Sequence, residues 1–175
     1  YGNQPISQPV WANFTLIGPG EGVFSSTDGN GAVIRRGSAG TLVNGVIARW
    51  PGVGISIRDE ESGALLAADS LTIRGMVLAG NGSNFEPEAD GRFGHVVQEN
   101  AEAWMVQEAS LSSVFPSLPT SSTELTSVDL TPSAGSAAID GGLDDFSGTV
   151  IEGRVQGFFD HLANDSSEDA WTVKS

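Results

Sequence analysis

The fold prediction rests on Asn13-Phe14-Thr15-Leu16-Ile17-Gly18, a strand-like segment that recurs as Val43-Asn44-Gly45-Val46-Ile47-Ala48 and as Ile73-Arg74-Gly75-Met76-Val77-Leu78. The three copies are 30 residues apart, so that their apolar residues fall in register. One short apolar strand repeated at a fixed spacing is typical of repeat proteins, in which no unit buries its apolar face alone and neighbouring units stack. We therefore expect Ile17, Ile47 and Val77 to lie beside one another on parallel strands.

A second series of short apolar segments lies between the copies of the first. It comprises Ala32-Val33-Ile34-Arg35, Ile55-Ser56-Ile57-Arg58 and His95-Val96-Val97-Gln98. Apolar and polar residues alternate within this series, which predicts strands with one face in a core and one face in water. In the first series both alternating faces are apolar, which indicates strands that are covered on both sides. The two interleaved series together predict an all-β fold, a β-solenoid with a loop-rich C-terminal segment packed on it.

The predicted organisation is a single domain in two parts. At 175 residues the chain is long enough to bury one core. Residues 1–118 carry the stacked strands, and residues 119–175 form a Ser/Thr/Pro-rich loop followed by a C-terminal segment. That segment contains apolar residues, among them Phe158 and Phe159, which we expect to dock on the strands.

The composition excludes several classes of function. With 22 acidic against 8 basic residues the net charge is −14, which makes nucleic acid an unsuitable partner because phosphate binding needs a basic surface. The chain contains no cysteine, so it has no disulfide, no zinc–thiolate site and no thiol nucleophile. It also lacks an apolar run of about 18 residues, and we therefore expect no membrane-spanning helix.

Three stretches carry a resemblance to known proteins. They are Pro5-Ile6-Ser7-Gln8-Pro9 with the strand from Asn13 to Gly20 that follows it, Ile34-Arg35-Arg36-Gly37-Ser38, and Leu130-Thr131-Pro132-Ser133-Ala134-Gly135-Ser136-Ala137-Ala138-Ile139-Asp140-Gly141. The last is similar to a Pro-x-x-Gly-Ser-Pro-Ala-Ile-Asp-x-Gly element near the ends of many β-helix proteins, although Ala137 stands in place of its usual proline. The chain thus resembles the C-terminal part of a family of secreted, right-handed parallel β-helix proteins of environmental bacteria, which includes surface proteins and lipoproteins. The resemblance implies a pectate-lyase-like fold and an extracytoplasmic location, secreted or at the cell surface, and it implies no established reaction.

Catalysis on a pectate-lyase-like fold would require a basic residue that abstracts a proton and acidic residues that bind calcium. The candidate catalytic residues are Arg58, as the base, with Asp59 and Glu61 beside it in the sequence. The same residues equally fit an ion pair on a surface turn, which contributes about 0–1 kcal/mol to stability. Because no acidic cluster recurs along one series of strands, the sequence favours a non-catalytic protein.

Glycine-flanked acidic and amide side chains offer a candidate calcium site. These residues are Asp28, Asn30, Asp140, Asp144 and Asp145. Their oxygens are suitable ligands for Ca²⁺, but they do not have the spacing of an EF-hand loop. Neither histidine has a second histidine or a cysteine nearby, so no histidine metal site is predicted, and His95 is expected to be a hydrogen-bonded structural residue. No cofactor other than calcium is considered.

Two functions remain open. The first is a non-catalytic extracellular or cell-surface module with a structural, adhesive or assembly role. The second is a carbohydrate-active protein, either a polysaccharide lyase or a glycan binder, whose partner would be a polysaccharide. A solenoid that begins at Tyr1 would leave its first strands with unpaired edges, and we expect upstream coils, a protein partner or self-assembly to cover them. The alternative is that residues 101–175 fold back over the strands.

Overall fold

The computed structural model describes residues 6–22, 29–121, 128–140 and 142–143 of the chain. Within this part the elements follow in the order β1 (Val10–Ile17), β2 (Ala32–Ile34), β3 (Gly40–Ala48), β4 (Val53–Ile57), α1 (Glu60–Ala67), β5 (Leu71–Ala79), β6 (Ser83–Phe85), α2 (Gly94–Glu99), β7 (Val106–Ala109), α3 (Leu111–Val114) and α4 (Ala137–Asp140). None of these helices is long and apolar enough to cross a membrane.

The strands form two parallel sheets that share a core. The order of the four-stranded sheet is β1-β3-β5-β7, and that of the three-stranded sheet is β2-β4-β6. Successive strands belong alternately to the two sheets, and each strand pairs with the previous strand of its own sheet. Ile47 and Leu78 of the larger sheet pack with Ile55 and Ile57 of the smaller one, and all four side chains are fully buried.

The prediction of an all-β fold, a right-handed parallel β-helix, is wrong. The described chain is an α/β-type mixture in which two separate parallel sheets combine with four helices, and this part contains neither a solenoid nor a closed sheet. One departure lies at α1, whose first residues have the appearance of a polar loop in the sequence. Asp59 caps α1 by accepting a hydrogen bond from the backbone N–H of Ser62 at 2.9 Å. Glu60 and Glu61 occupy the first turn, where the helix dipole favours negative charge.

A second error concerns the third segment of the shorter series. Residues 95–98 lie in α2, and the third strand of the smaller sheet is β6 instead. A segment of four residues is too short for its apolar pattern to distinguish a strand from a turn of helix. Packing decides between them, because α2 buries Val97 completely against the core while Gln98 is exposed.

The strands of the first series are neighbouring and parallel, as expected, but the expected register is wrong by one residue. Leu16 pairs with Ile47 and Ile47 pairs with Leu78, which is a step of 31 residues. Ile17 and Val77 each lie one position away from the pairing with Ile47 that we expected.

The long strands bend at corresponding positions, and the bends lie side by side across the four-stranded sheet. Asn13, Asn44 and Gly75 stand at these bends with φ angles of 53°, 53° and 59°. A residue in this left-handed conformation shifts the alternation of side chains along a strand. Ile73 and Met76, on either side of the bend in β5, consequently both point into the core between the sheets. This change in side-chain alternation explains part of the sequence pattern in which both faces of the first series are apolar.

The outer face of the four-stranded sheet is also covered, in agreement with the expectation that its strands have two buried faces. Val46 and Val77 on this face are buried against Leu111, Val114 and Phe115, which belong to α3 and the turn after it. Part of the C-terminal half of the chain therefore folds back over this face, as the alternative to a partner requires.

Candidate functional sites

In the part of the chain that the structure describes, the core between the two sheets is open where β1 and β2 lie. We call β1, β2 and the cavity between them the open end. Both are edge strands, since each pairs with only one strand of the described chain. The cavity measures about 380 Å³ and is lined mainly by apolar side chains, among them Trp11, Leu16 and Ile34. Trp11 exposes 57% of its surface, although tryptophan is on average a highly buried residue.

Residues paired in register show the effect of the edge position. Ile34 of β2 is partly buried, whereas its partner Ile57 on β4 has no exposed surface. Leu16 of β1 and its partner Ile47 on β3 differ in the same way. The side chains at the open end therefore occupy core positions without the outer strand that buries their counterparts.

The opposite end of the core is closed by α2. This helix packs against β4 and β6, and its Val97 is fully buried in the core between the sheets. Val96 and Trp104 pack against the same group of side chains. Within the described chain, the core is therefore less covered beside β1 and β2 than it is beside α2.

Four polar residues form a second feature, on the outer face of the three-stranded sheet, which we call the arginine cluster: Ser56, Arg58, Glu86 and Arg92. Glu86 Oε1 accepts a hydrogen bond from Ser56 Oγ at 3.0 Å and lies 3.2 Å from Arg92 Nη1. Arg58 Nε donates to Ser56 Oγ at 2.8 Å and lies 3.8 Å from the same oxygen of Glu86. One carboxylate thus holds two guanidinium groups beside each other.

The smaller sheet brings the members of the arginine cluster together. Ser56 is in β4, and because its neighbour Ile55 points into the core, Ser56 points to the opposite face. Glu86 directly follows β6, the strand beside β4, and reaches Ser56 across the sheet. Arg92 arrives from the next loop, where it forms an antiparallel bridge with Arg58.

The carboxylate of the arginine cluster lies beneath its guanidinium groups. Glu86 exposes only 8% of its surface, while the side chains of Arg58 and Arg92 expose 29% and 37%. Glu86 Oε2 is buried and has no hydrogen-bond partner within the described residues, and Arg92 Nη1, also buried, is held only by its ion pair with Glu86 Oε1. Buried polar atoms are costly when they lack a partner, so these two atoms distinguish the cluster from an ordinary surface ion pair.

The structure separates the predicted catalytic residues. Arg58 belongs to the arginine cluster and pairs with Glu86, and no ion pair in the described residues joins it to Asp59 or Glu61. Glu61 is exposed in the first turn of α1. The three predicted residues thus share no ion pair in the described chain, and their catalytic role stays a prediction.

Sequence reasoning missed Glu86 and Arg92. Glu86 follows Ser56 by 30 residues, which is the spacing of the first series, so the repeat itself could have pointed to Glu86. Arg92 carries no such signal, because an irregular loop brings it to the cluster.

Asp59 has a structural role between α1 and the turn after β2. Its carboxylate accepts hydrogen bonds from the backbone N–H groups of Ser62 and Arg36. Burial raises the pKa of Asp59, but these bonds, together with contributions from the Ser62 side chain and the Gly37 N–H, hold the pKa below its ordinary value. Both oxygens of the ionised Asp59 carboxylate therefore already accept hydrogen bonds from backbone N–H groups.

The candidate calcium residues do not form a site within the described chain. Asn30 Oδ1 accepts a hydrogen bond from the backbone N–H of Val53 at 2.8 Å, so this oxygen is engaged at the start of β4. Asp28, Asp144 and Asp145 lie outside the described residues, and of Asp140, the last residue of α4, only the backbone is described. In the part of the chain that is described, no group of three or more His, Asp or Glu residues is arranged to hold a metal ion. Calcium binding stays a prediction.

The remaining predictions on individual residues have mixed outcomes. His95 Nδ1 is buried and has no hydrogen-bond partner among the described residues, so the expected hydrogen bond of this atom is not found there. The expected docking of Phe158 and Phe159 lies outside the described residues.

No protein-family model, curated protein or solved structure matches the chain. The resemblance to secreted bacterial proteins, and the location that it implies, therefore stay predictions. The open end and the arginine cluster are the features from which a function can be inferred.

Proposed function

We propose that this protein is a non-catalytic assembly module that joins a protein partner through the open end. One contrast supports the proposal most directly. Ile57 in the middle strand of its sheet is fully buried, while Ile34, at the same position of the edge strand, borders a cavity of about 380 Å³. Apolar core surface beside edge strands favours the binding of another chain, because both the apolar side chains and the backbone groups gain partners.

A partner that adds strands to the two sheets fits the open end best. β1 is eight residues long, and its outer edge presents backbone N–H and C=O groups to a further strand. Inward-pointing apolar side chains of that strand would fill the cavity beside Trp11. Arg35 and Arg36 are exposed just beyond β2 and form no ion pair within the described residues, so acidic side chains of the partner are favoured there.

The proposed place of action is outside the cytoplasm, either secreted or at the cell surface. The resemblance to secreted bacterial proteins supports this location. Fractionation of the source cells tests it, and recovery of the protein with the cytoplasmic fraction alone would contradict it.

Site-specific photo-crosslinking tests the assembly role. With Trp11 replaced by p-benzoylphenylalanine, we expect a native particle heavier than 18.1 kDa and a crosslink to an apolar strand of another polypeptide. The control carries the same amino acid at Val128, which is 50% exposed but does not line the cavity, and it should not give that product. A particle of 18.1 kDa in which position 11 crosslinks only within its own chain would contradict the proposal.

A carbohydrate-active role is the second candidate function, and the placement of Arg58 is the observation that favours it. This basic residue lies beside Arg92 on the outer face of a parallel sheet, with its side chain 29% exposed. Incubation with acidic polysaccharides, followed by the absorbance of unsaturated products, distinguishes the two functions. The assembly role predicts no product, whereas activity that disappears in Arg58→Ala would favour the carbohydrate-active role.

A further inference from the structure

We propose that the arginine cluster binds a single carboxylate group of a ligand, with Arg58 and Arg92 as donors and Glu86 as the residue that positions them. The proposal rests on the outer face of the three-stranded sheet and does not depend on what the open end binds.

The two guanidinium groups have donors left for a ligand. Arg58 uses Nε in its bond to Ser56, and its terminal nitrogens make no hydrogen bond within the described residues. Arg92 directs its buried Nη1 at Glu86 Oε1, and its Nε and Nη2 make no hydrogen bond within the described residues. A guanidinium group carries five N–H donors in a planar fork, and a carboxylate can accept two of them in parallel. Two adjacent guanidinium groups with partly exposed side chains are therefore better suited to a planar carboxylate than to a spherical anion.

Glu86 and Ser56 hold the donors in place before a ligand arrives. Ser56 has no exposed surface, and its hydroxyl donates to Glu86 while accepting from Arg58. Because the hydroxyl bonds in both directions, it fixes the orientation of Arg58 relative to the buried carboxylate. Donors that are already ordered lose little further entropy on binding, which favours a small ligand group.

The charge of the arginine cluster fits one negative charge. Arg58 and Arg92 together with Glu86 leave one uncompensated positive charge, which a carboxylate neutralises. A phosphate dianion would exceed that charge, and the net charge of −14 on the chain repels multiply charged anions more strongly. Glu86, at 8% exposure, is less exposed than either guanidinium group and pairs with both, so a ligand from solvent would meet the two arginines first.

Titration with acetate, followed by backbone amide NMR shifts, tests this inference. We expect saturable shifts around Ser56 and Arg92, weaker binding of methanesulfonate, which has the same charge but a different shape, and no binding of acetamide, which is neutral. Arg92→Lys keeps the charge but removes the fork, and we expect it to weaken acetate binding about tenfold. Arg74→Lys is the matched control, since it makes the same exchange in the four-stranded sheet, where Arg74 pairs with Asp69, and it should change the affinity less than about twofold.

Three results would overturn the proposal. They are the absence of saturable acetate shifts, equal binding of acetate and methanesulfonate, and an unchanged acetate affinity in Arg92→Lys. If Arg92→Lys fails to fold, as judged by its amide spectrum, Arg58→Lys removes the other fork and serves as the test in its place.

Discussion

At the scale of single residues, two buried polar side chains of the four-stranded sheet and its edge form hydrogen bonds with irregular segments of the chain. Asn44, only 3% exposed, donates through Nδ2 to the carbonyl of Leu143 at 2.9 Å and accepts through Oδ1 from its N–H at 2.7 Å. Arg49, only 2% exposed, donates to the carbonyl groups of Pro119 and Ser121. A few side chains thus tie the C-terminal half to the strands.

Replacing Asn44 with glycine tests this fastening. Glycine adopts the φ of 53° at this position without strain, so Asn44→Gly removes the amide and leaves the bend. We expect the free energy of unfolding, measured with urea, to fall by about 1–3 kcal/mol because the backbone groups of Leu143 lose their partners. Asn13→Gly is the matched control, since Asn13 has the same φ of 53° and its Oδ1 has no hydrogen-bond partner in the described chain. Equal losses in both variants would show that the bonds to Leu143 contribute nothing.

Asp59 makes the stability of the protein dependent on pH. Burial raises its pKa, but hydrogen bonds from Arg36, Ser62 and Gly37 outweigh burial, so the folded-state pKa lies below the ordinary value of 3.8. A depressed pKa means that the ionised carboxylate stabilises the fold above the unfolded-state pKa, and that this stabilisation is lost as the pH falls through the folded-state pKa.

The variant Asp59→Asn removes this charge and keeps the cap bond to Ser62, while its Nδ2 cannot accept the bond that Asp59 Oδ2 takes from the Arg36 N–H. The lost acceptor lowers stability at every pH, so the part of the difference that varies with pH reports the charge. We expect the variant to unfold at lower urea concentration than the parent at about pH 7, and the difference to shrink as the pH falls to about 3. A difference that stays constant over this range would show that the charge of Asp59 is not responsible.

At the scale of elements, tertiary contacts rather than local signals hold the short helices. α2 spans Gly94–Glu99, has no side-chain cap at Phe93 and carries no acidic residue in its first turn. Isolated helices of this length are unstable in water, so the burial of Val97 in the core must supply most of the stabilisation.

Gln98, an exposed residue of α2, allows the helix to be tested without a change in the core. Gln98→Pro removes a backbone N–H and clashes with the preceding turn, and we expect it to lower the free energy of unfolding by about 3 kcal/mol. Gln98→Ala should leave the stability nearly unchanged, because alanine favours helix. Equal urea midpoints for the two variants would contradict the helical assignment of this segment.

At the scale of the whole molecule, the two sheets share one core that, within the described residues, α2 covers at one end and that is open beside β1 and β2. Its best-buried side chains lie in the inner strands, where each strand has a neighbour on both sides. We therefore expect the inner strands to be the most stable part of the described chain, and the edge strands β1 and β2 are where the proposed partner would bind.

Ile47 is the position at which this core is most directly tested. It has no exposed surface and packs where the two sheets meet, so Ile47→Asp would bury a charge without a counterion. We expect a loss of at least about 3 kcal/mol, seen as a large drop in melting temperature or as failure to fold. Val33→Asp, at a position that is 41% exposed on edge strand β2, is the control and should melt close to the parent. A small effect at Ile47 would show that it does not belong to the core.

The candidate sites could be predicted only in part. Arg58 was identified from the sequence as a basic residue beside acidic ones, but its structural partners are Glu86 and Arg92. Those partners come from a strand end and a loop, so that only the pairing of β4 with β6 and the path of the chain after β6 bring them together. β1 and β2 are edge strands among the described strands, and whether another chain covers them stays a prediction. For the outer face of the four-stranded sheet, the packing of α3 favours the alternative that a later part of the chain covers it.

The sequence by itself determined that short apolar strands would stack in parallel, because the repeated pattern that begins at Asn13 is local and is visible without any contact. The tertiary structure decided the register, since the bends at Asn44 and Gly75 are backbone conformations that the apolar pattern does not reveal. It also decided that residues 95–98 form a helix and that two sheets with helices replace the expected solenoid. The physical reason is that such choices differ little in local energy, and burial summed over the whole core selects among them.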